Sequence, residues 1–238
     1  MSKQSKIYGT QVNKMRSIVM LLSVAVLISC CFYVLAAGES EQIVWQRDEK
    51  KVAITFDDGP NPDTTTPMLD ALEENYAKAT FFCLGQNAGY YPETVQREYN
   101  LGMEVGTHTY SHVVLTSLSA SALDSEISKS VDAINKAIGV KPSLMRPPYG
   151  AVNKTVLSAV GGYNLCCMNW SLDTEDWKTK NADATYNEVM KAQDGDVVLL
   201  HDIHEYNVDA VKRFVPDLIA QGFQLVTVPE LYKARGES

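Results

Sequence analysis

The sequence predicts an α/β protein: one parallel sheet with helical crossovers, closed into an incomplete or distorted barrel. Two observations carry this. Seven short apolar runs alternate with helical patterns between residues 51 and 238, and strand–helix alternation implies parallel pairing through crossovers. That stretch of about 190 residues is also short for an eight-unit barrel, which takes about 250.

The expected strands, in order, are 51–56, 79–83, 103–106, 144–146, 165–169, 196–200 and 224–228. The clearest helix spans Ser119 to Ile138. Leu123, Ile127, Val131, Ile134 and Ile138 recur at helical spacing, Ser119 suits the start and Gly139 the end. A second helix spans Val208 to Gln221, with Val211, Phe214, Val215, Leu218 and Ile219 on one face and Gly222 beyond it. No repeat or second domain boundary interrupts residues 51–238.

The 238-residue chain is 45% hydrophobic and 21% charged, which excludes a disordered protein. Its formal net charge is −8. Residues 50–238 carry 16 basic and 25 acidic groups, the opposite of a nucleic-acid surface. The N-terminus has its own pattern. Lys3, Lys6, Lys14 and Arg16 precede an uncharged apolar run from Ile18 to Ala37, long enough to span a bilayer. The basic flank orients the following chain outward. A retained signal-anchor, a signal peptide cleaved after Val34-Leu35-Ala36, and a lipoprotein modified at Cys30 all fit. Each makes residues 1–37 a targeting segment and 38–50 a linker, with the domain outside the cytoplasm. Cys83, Cys166 and Cys167 lie in apolar runs and are expected to be buried and free.

Five segments carry chemistry, each at an expected strand end. Thr55-Phe56-Asp57-Asp58-Gly59-Pro60 ends the first strand. Adjacent carboxylates there diverge, so Asp57 and Asp58 can face different partners within one site; the same residues also suit an Asp-Gly turn. His108-Thr109-Tyr110-Ser111-His112 follows the third strand, and its spacing can set two imidazoles on one face of a helical turn. Two histidines and a carboxylate form a metal-ligand set that leaves positions open. Arg146-Pro147-Pro148-Tyr149-Gly150 offers a permanent cation and a stiff turn that leaves the Tyr149 amide free. Asp173-Thr174-Glu175-Asp176-Trp177 sets a carboxylate beside an aromatic ring. In Leu199-Leu200-His201-Asp202-Ile203-His204, His201 suits a general acid, whereas His204 reads better as a loop or helix-start residue than as a ligand.

In this order the five segments resemble the motifs of the polysaccharide deacetylase family, carbohydrate esterase family 4, also called the NodB homology domain. The resemblance covers about residues 51–231. It implies a distorted (β/α)7 barrel in a single catalytic domain that hydrolyses acetyl groups from glycans. By position it makes Asp57 the catalytic base and Arg146 its tether. Asp58, His108 and His112 become ligands of one divalent metal ion, Zn2+ or a relative such as Co2+. The Tyr149 amide becomes an oxyanion donor. Asp176 and Trp177 orient and shield the catalytic acid His201, and Leu199 lines the acetyl pocket. The expected substrate is an N-acetylated glycan outside the cytoplasm, first the N-acetylglucosamine (or N-acetylmuramic acid) units of peptidoglycan, with chitooligosaccharide or acetylxylan as alternatives. A monomer attached to the membrane by its N-terminal segment, with no nucleic-acid partner, is expected. An inactive glycan binder is disfavoured by the intact acid, base and ligand positions. A non-haem iron oxygenase would leave Arg146, Asp176 and His201 without a purpose.

Overall fold

The computed structural model describes residues 50–236. The expected leader, apolar run and nearly all of the expected linker lie outside these residues. Among the described residues, no helix is long and apolar enough to cross a membrane.

Strand β1 (Lys50–Asp57) organises the sheet. Side chains alternate across a strand. Val52, Ile54 and Phe56 therefore join the outer core, while Ala53 joins the inner one. Thr55 and Asp57 share that inner face. β1 pairs in parallel with β2 (Thr80–Cys83) through Thr55–Asp57 and with β7 (Val197–His201) through Ala53–Asp57. Its first residues, Lys50–Val52, pair instead with β8 (Phe223–Leu225). The sheet continues from β2 to β3 (Glu104–Thr107), β4 (Leu144–Met145) and β5 (Cys166–Cys167), and from β7 to β6 (Leu172–Asp173). Every ladder is parallel, and no ladder joins the two edges β5 and β6 among the described residues. The barrel expected from the sequence is thus an incomplete one, a curled sheet open on one side.

Helices cover the outer face. α1 (Pro62–Glu74) is followed by α2 (Gly85–Tyr90), α3 (Pro92–Asn100), α4 (Ala120–Ile138) and α5 (Lys154–Gly162). After β6 come α6 (Asp176–Thr179), α7 (Ala182–Val189), α8 (Glu205–Ala220) and α9 (Val228–Ala234). In the outer core Phe56 stacks on Phe81 with centroids 5.0 Å apart, among Met68, Leu69 and Leu72 of α1 and Phe214 and Leu218 of α8. Burying each such side chain contributes about 1.5–3 kcal/mol. The long helix forms as expected: the Ser119 hydroxyl accepts the Ala122 N–H, and Gly139 ends it at φ 76°.

Three expectations change. The last strand stops at Leu225 instead of Val228, because Thr227 and Glu230 close a reciprocal capping box that starts α9. Val228 and Leu231 of α9 pack with Ala53, Phe82, Leu144 and Val197 and floor the barrel at the strands' N-terminal end. The two-residue strand β6 was not expected; it is too short to give an alternating pattern. Cys166 is exposed and Cys167 half-buried, since β5 is a sheet edge, while Cys83 is buried; all three are free.

Candidate metal and acid–base site

The site occupies the other end of the barrel, where strand C-termini converge. Asp57 completes β1 facing inward. Asp58 takes φ 76°, which ends the strand and turns its side chain toward different neighbours. Arg146 follows β4 and is fully buried. A buried guanidinium needs partners for its charge and donors. Its Nη1 donates to Asp57 Oδ1 at 2.8 Å and Thr55 Oγ1 at 2.7 Å, Nη2 to the Asn169 carbonyl, and Nε to the Met168 carbonyl at 3.4 Å. The Phe82 ring lies under it, 4.2 Å from centroid to the guanidinium carbon.

The two histidines come together, but not on a helical turn. Residues 108–112 form an irregular loop with Thr109 at φ 72° and His112 at φ 57°. The His108 Nδ1–H donates to the Arg146 carbonyl at 2.7 Å, which fixes the tautomer and leaves Nε2 as a lone-pair donor. Burial pushes the His108 pKa down, against the pull of Asp57 and Asp58. Asp58 Oδ1 lies 3.5 Å from His108 Nε2 and 3.3 Å from His112 Nε2. Asp57 Oδ2 is 3.7 Å from His108 Nε2. One ligand atom each from Asp58, His108 and His112 lies within 4.8 Å of the others. Asp58 Oδ1 is buried and accepts no hydrogen bond, a costly state for a carboxylate oxygen. A hard anionic oxygen without a partner beside two imidazole nitrogens fits a divalent cation.

A second pair is built on His201 of β7, which is paired in register with Asp57. Asp176 starts α6 and is fully buried. Its Oδ1 lies 2.8 Å from His201 Nδ1, and its Oδ2 accepts the His201 N–H at 2.9 Å. The Trp177 N–H and the Asn207 amide complete its shell. Burial opposes charge on His201, but the Asp176 hydrogen bond and charge, aided by Asp57 and Asp58, push its pKa up to about 9. Burial likewise works to raise the Asp176 pKa, yet the His201 and Asn207 hydrogen bonds carry it below its ordinary value. Tyr149 sits at φ 60° in a tight turn over Pro148–Gly150, its ring edge-on to His112 at 5.0 Å. The turn's bonds, Gly150 N–H to Pro147 and Ala151 N–H to Pro148, leave the Tyr149 N–H unused.

Apart from buried Arg146 and Asp176, every expected site residue lines one cleft of about 400 Å³, including Leu199 and Trp177. Trp170, Asp173 and His204 also line it. His204 is the N-cap residue of α8, stacked on Tyr206 at 4.8 Å. Among the supports that sequence reasoning missed, three lie behind these residues. Thr55 shares Arg146 with Asp57, and the period-two pattern of β1 could have revealed it. Asn207, which bonds Asp176 and the His201 carbonyl, has no local signal. Asp202 lies buried behind the Asp57–Gly59 turn, held by Thr65 Oγ1 at 2.5 Å, and burial pushes its pKa to about 7.

The chain is similar to proteins of one known family. A family model described as polysaccharide deacetylase matches residues 46–166. The peptidoglycan-N-acetylmuramic acid deacetylase PdaC of Bacillus subtilis is 42% identical over 189 residues, 79% of this chain and 40% of that protein. The solved structure of PdaC superposes with a TM-score of 0.77, covering 79% of this chain and 93% of the solved one. The peptidoglycan-N-acetylglucosamine deacetylase PgdA of Listeria monocytogenes is 41% identical over 78% of this chain and 40% of its own length. A peptidoglycan-N-acetylglucosamine deacetylase of Bacillus cereus is 36% identical over 80% of this chain and 71% of its own. The chain spans about 40% of the length of the first two relatives.

Proposed function

The chain belongs to the polysaccharide deacetylase family, and from that premise we propose that it removes N-acetyl groups from peptidoglycan outside the cytoplasm, releasing acetate. One observation carries the reading. A tethered carboxylate, Asp57, and an imidazole raised to about 9, His201, line one cleft together with the Asp58–His108–His112 cluster.

Asp58, His108 and His112 would hold the divalent cation, with zinc our first choice. Bound there, it supplies Lewis acidity toward the acetyl carbonyl and toward water. The chain's own groups do the rest. Asp57, fixed by Arg146, accepts a proton from the attacking water. The free Tyr149 N–H donates to the oxygen that gains charge as the carbonyl carbon becomes tetrahedral. His201, protonated at neutral pH through Asp176, passes its proton to the nitrogen as the C–N bond breaks, so acetate and an amine leave. Acceptor and donor are thus kept apart by opposite environments. Leu199 supplies an apolar wall for the acetyl methyl, and Trp177 a face for the sugar ring.

PdaC is named for N-acetylmuramic acid and PgdA for N-acetylglucosamine, and both sugars of peptidoglycan are proposed as substrates here. Residues 18–37 are proposed to export and anchor a monomeric domain. Acetate release from peptidoglycan, chitooligosaccharides and acetylxylan tests the proposal. Release from peptidoglycan exceeding the other two is expected; turnover of acetylxylan alone would make the chain an ester hydrolase of the same family.

A further inference from the structure

We infer that Glu126, on α4, is the clamp that holds the loop between the two histidines in its metal-binding shape. This inference rests on the proposed metal site. Glu126 Oε2 accepts the backbone N–H of Tyr110 at 3.1 Å and of Ser111 at 3.0 Å, while Oε1 accepts the Ser111 hydroxyl at 2.8 Å. One carboxylate thus binds three donors on the two residues just before His112. Bonds to an ionised acceptor are roughly twice as strong as neutral ones.

The loop needs such a hold. Thr109 and His112 both have positive φ, a region that non-glycine residues enter only when their surroundings enforce it. The opposite edge of the loop is held too: the Gly85 and Gln86 N–H groups donate to the Thr109 and Tyr110 carbonyls at 2.9 and 3.1 Å. Glu126 alone takes the N–H edge at Tyr110 and Ser111. Its helix cannot follow a drifting loop. Ser130, one turn along, bonds Thr107 on β3 and packs so closely on Gly85 that a Cβ there would lie 2.7 Å from the Ser130 Cα. Glu126 is therefore a positioning residue that acts through His112, and nothing in its own place requires it to touch substrate.

The test is Zn2+ affinity of the full chain, read by competition with a chromophoric chelator, alongside the thermal midpoint of the metal-free protein. Glu126→Ala should weaken Zn2+ binding by about tenfold or more, the range typical of groups that orient ligands, while the metal-free protein still unfolds cooperatively at a midpoint only a few degrees lower. Glu126→Gln, which keeps one acceptor oxygen in the same place, should recover most of the loss. Ser111→Ala should weaken binding a few-fold in the Glu126 chain and have no effect beside Glu126→Ala, and it decides the matter if Glu126→Ala does not fold. Asp132→Ala, an exposed change on the same helix, should bind as the unmodified chain does. Zn2+ affinity within twofold of the unmodified chain in Glu126→Ala, or in Ser111→Ala where Glu126→Ala is unfolded, would overturn the clamp. Failure of the unmodified chain to bind Zn2+ at all would instead remove the metal site, and the clamp with it.

Discussion

Replacing Asp176 with Asn should move the proton-donating limb of the pH–rate profile. The substitution keeps an acceptor oxygen beside His201 Nδ1 but removes the charge 2.8 Å away. His201 stands at about 9 against an ordinary 6.5, a difference of about 3 kcal/mol between its two protonation states. Without the Asp176 charge, burial lowers the pKa against Asp57 and Asp58 only, and His201 falls well below 9. At pH 8 the unmodified His201 is roughly nine-tenths protonated, and a fall of about two pH units in its pKa cuts that fraction about tenfold, whereas the difference shrinks as pH is lowered. The variant should lose about tenfold or more in kcat at pH 8 and progressively less toward pH 6. A bound dication lowers both values, so the quantity to read is the gap between the two profiles. The assay is kcat for acetate release across pH 5.5–9.5, with NMR titration of the metal-free His201 ring. Superimposable basic limbs would refute the assignment of His201 as the donor. The sign carries over to stability. The raised His201 pKa stabilises the metal-free fold fully below about 6.5, and that contribution is lost as pH rises through about 9.

Other substitutions probe neighbouring groups. Asp57→Asn should keep its metal, since Asp58, His108 and His112 are untouched, and lose about a hundredfold or more in turnover; loss of metal would make Asp57 a ligand. His201→Ala should raise the ratio of aryl-acetate to amide turnover, because an aryl oxide leaves without a proton and an amine does not; equal losses would make His201 a substrate-positioning group. Gly59→Ala should destabilise the fold by about 1–3 kcal/mol in urea denaturation, since its Cβ would lie 2.0 Å from Asp202 Oδ2 and Thr65 pins that carboxylate. An unchanged midpoint would mean that Asp202 can swing away.

Much of this site was legible because its signals are local. Alternation along β1 puts Asp57 on the inner face, and the five motifs each follow a strand. The α4 boundaries could be read from Ser119 and Gly139. What escaped was set by distant partners or by backbone shape. Asp58, Thr109, His112 and Tyr149 all have positive φ without being glycine, so the helical turn expected for His108 and His112 gave way to a loop that tertiary contacts enforce. Glu126, Asn207 and Asp202 are ordinary polar residues in sequence, and their partners lie 15, 31 and 137 positions away. The capping box at Thr227 was readable, but the run Leu225-Val226-Thr227-Val228 across it favoured a longer strand.

The central claim is that one divalent ion, held by Asp58, His108 and His112, is required for deacetylation by Asp57 and His201. Titrating chelator-treated full chain with Zn2+ while measuring acetate release from peptidoglycan tests it most directly. Activity should rise from near zero and saturate at one equivalent, and His112→Ala should neither retain the ion nor recover turnover. Full acetate release by the metal-stripped protein, or a fully active His112→Ala chain, would contradict the account.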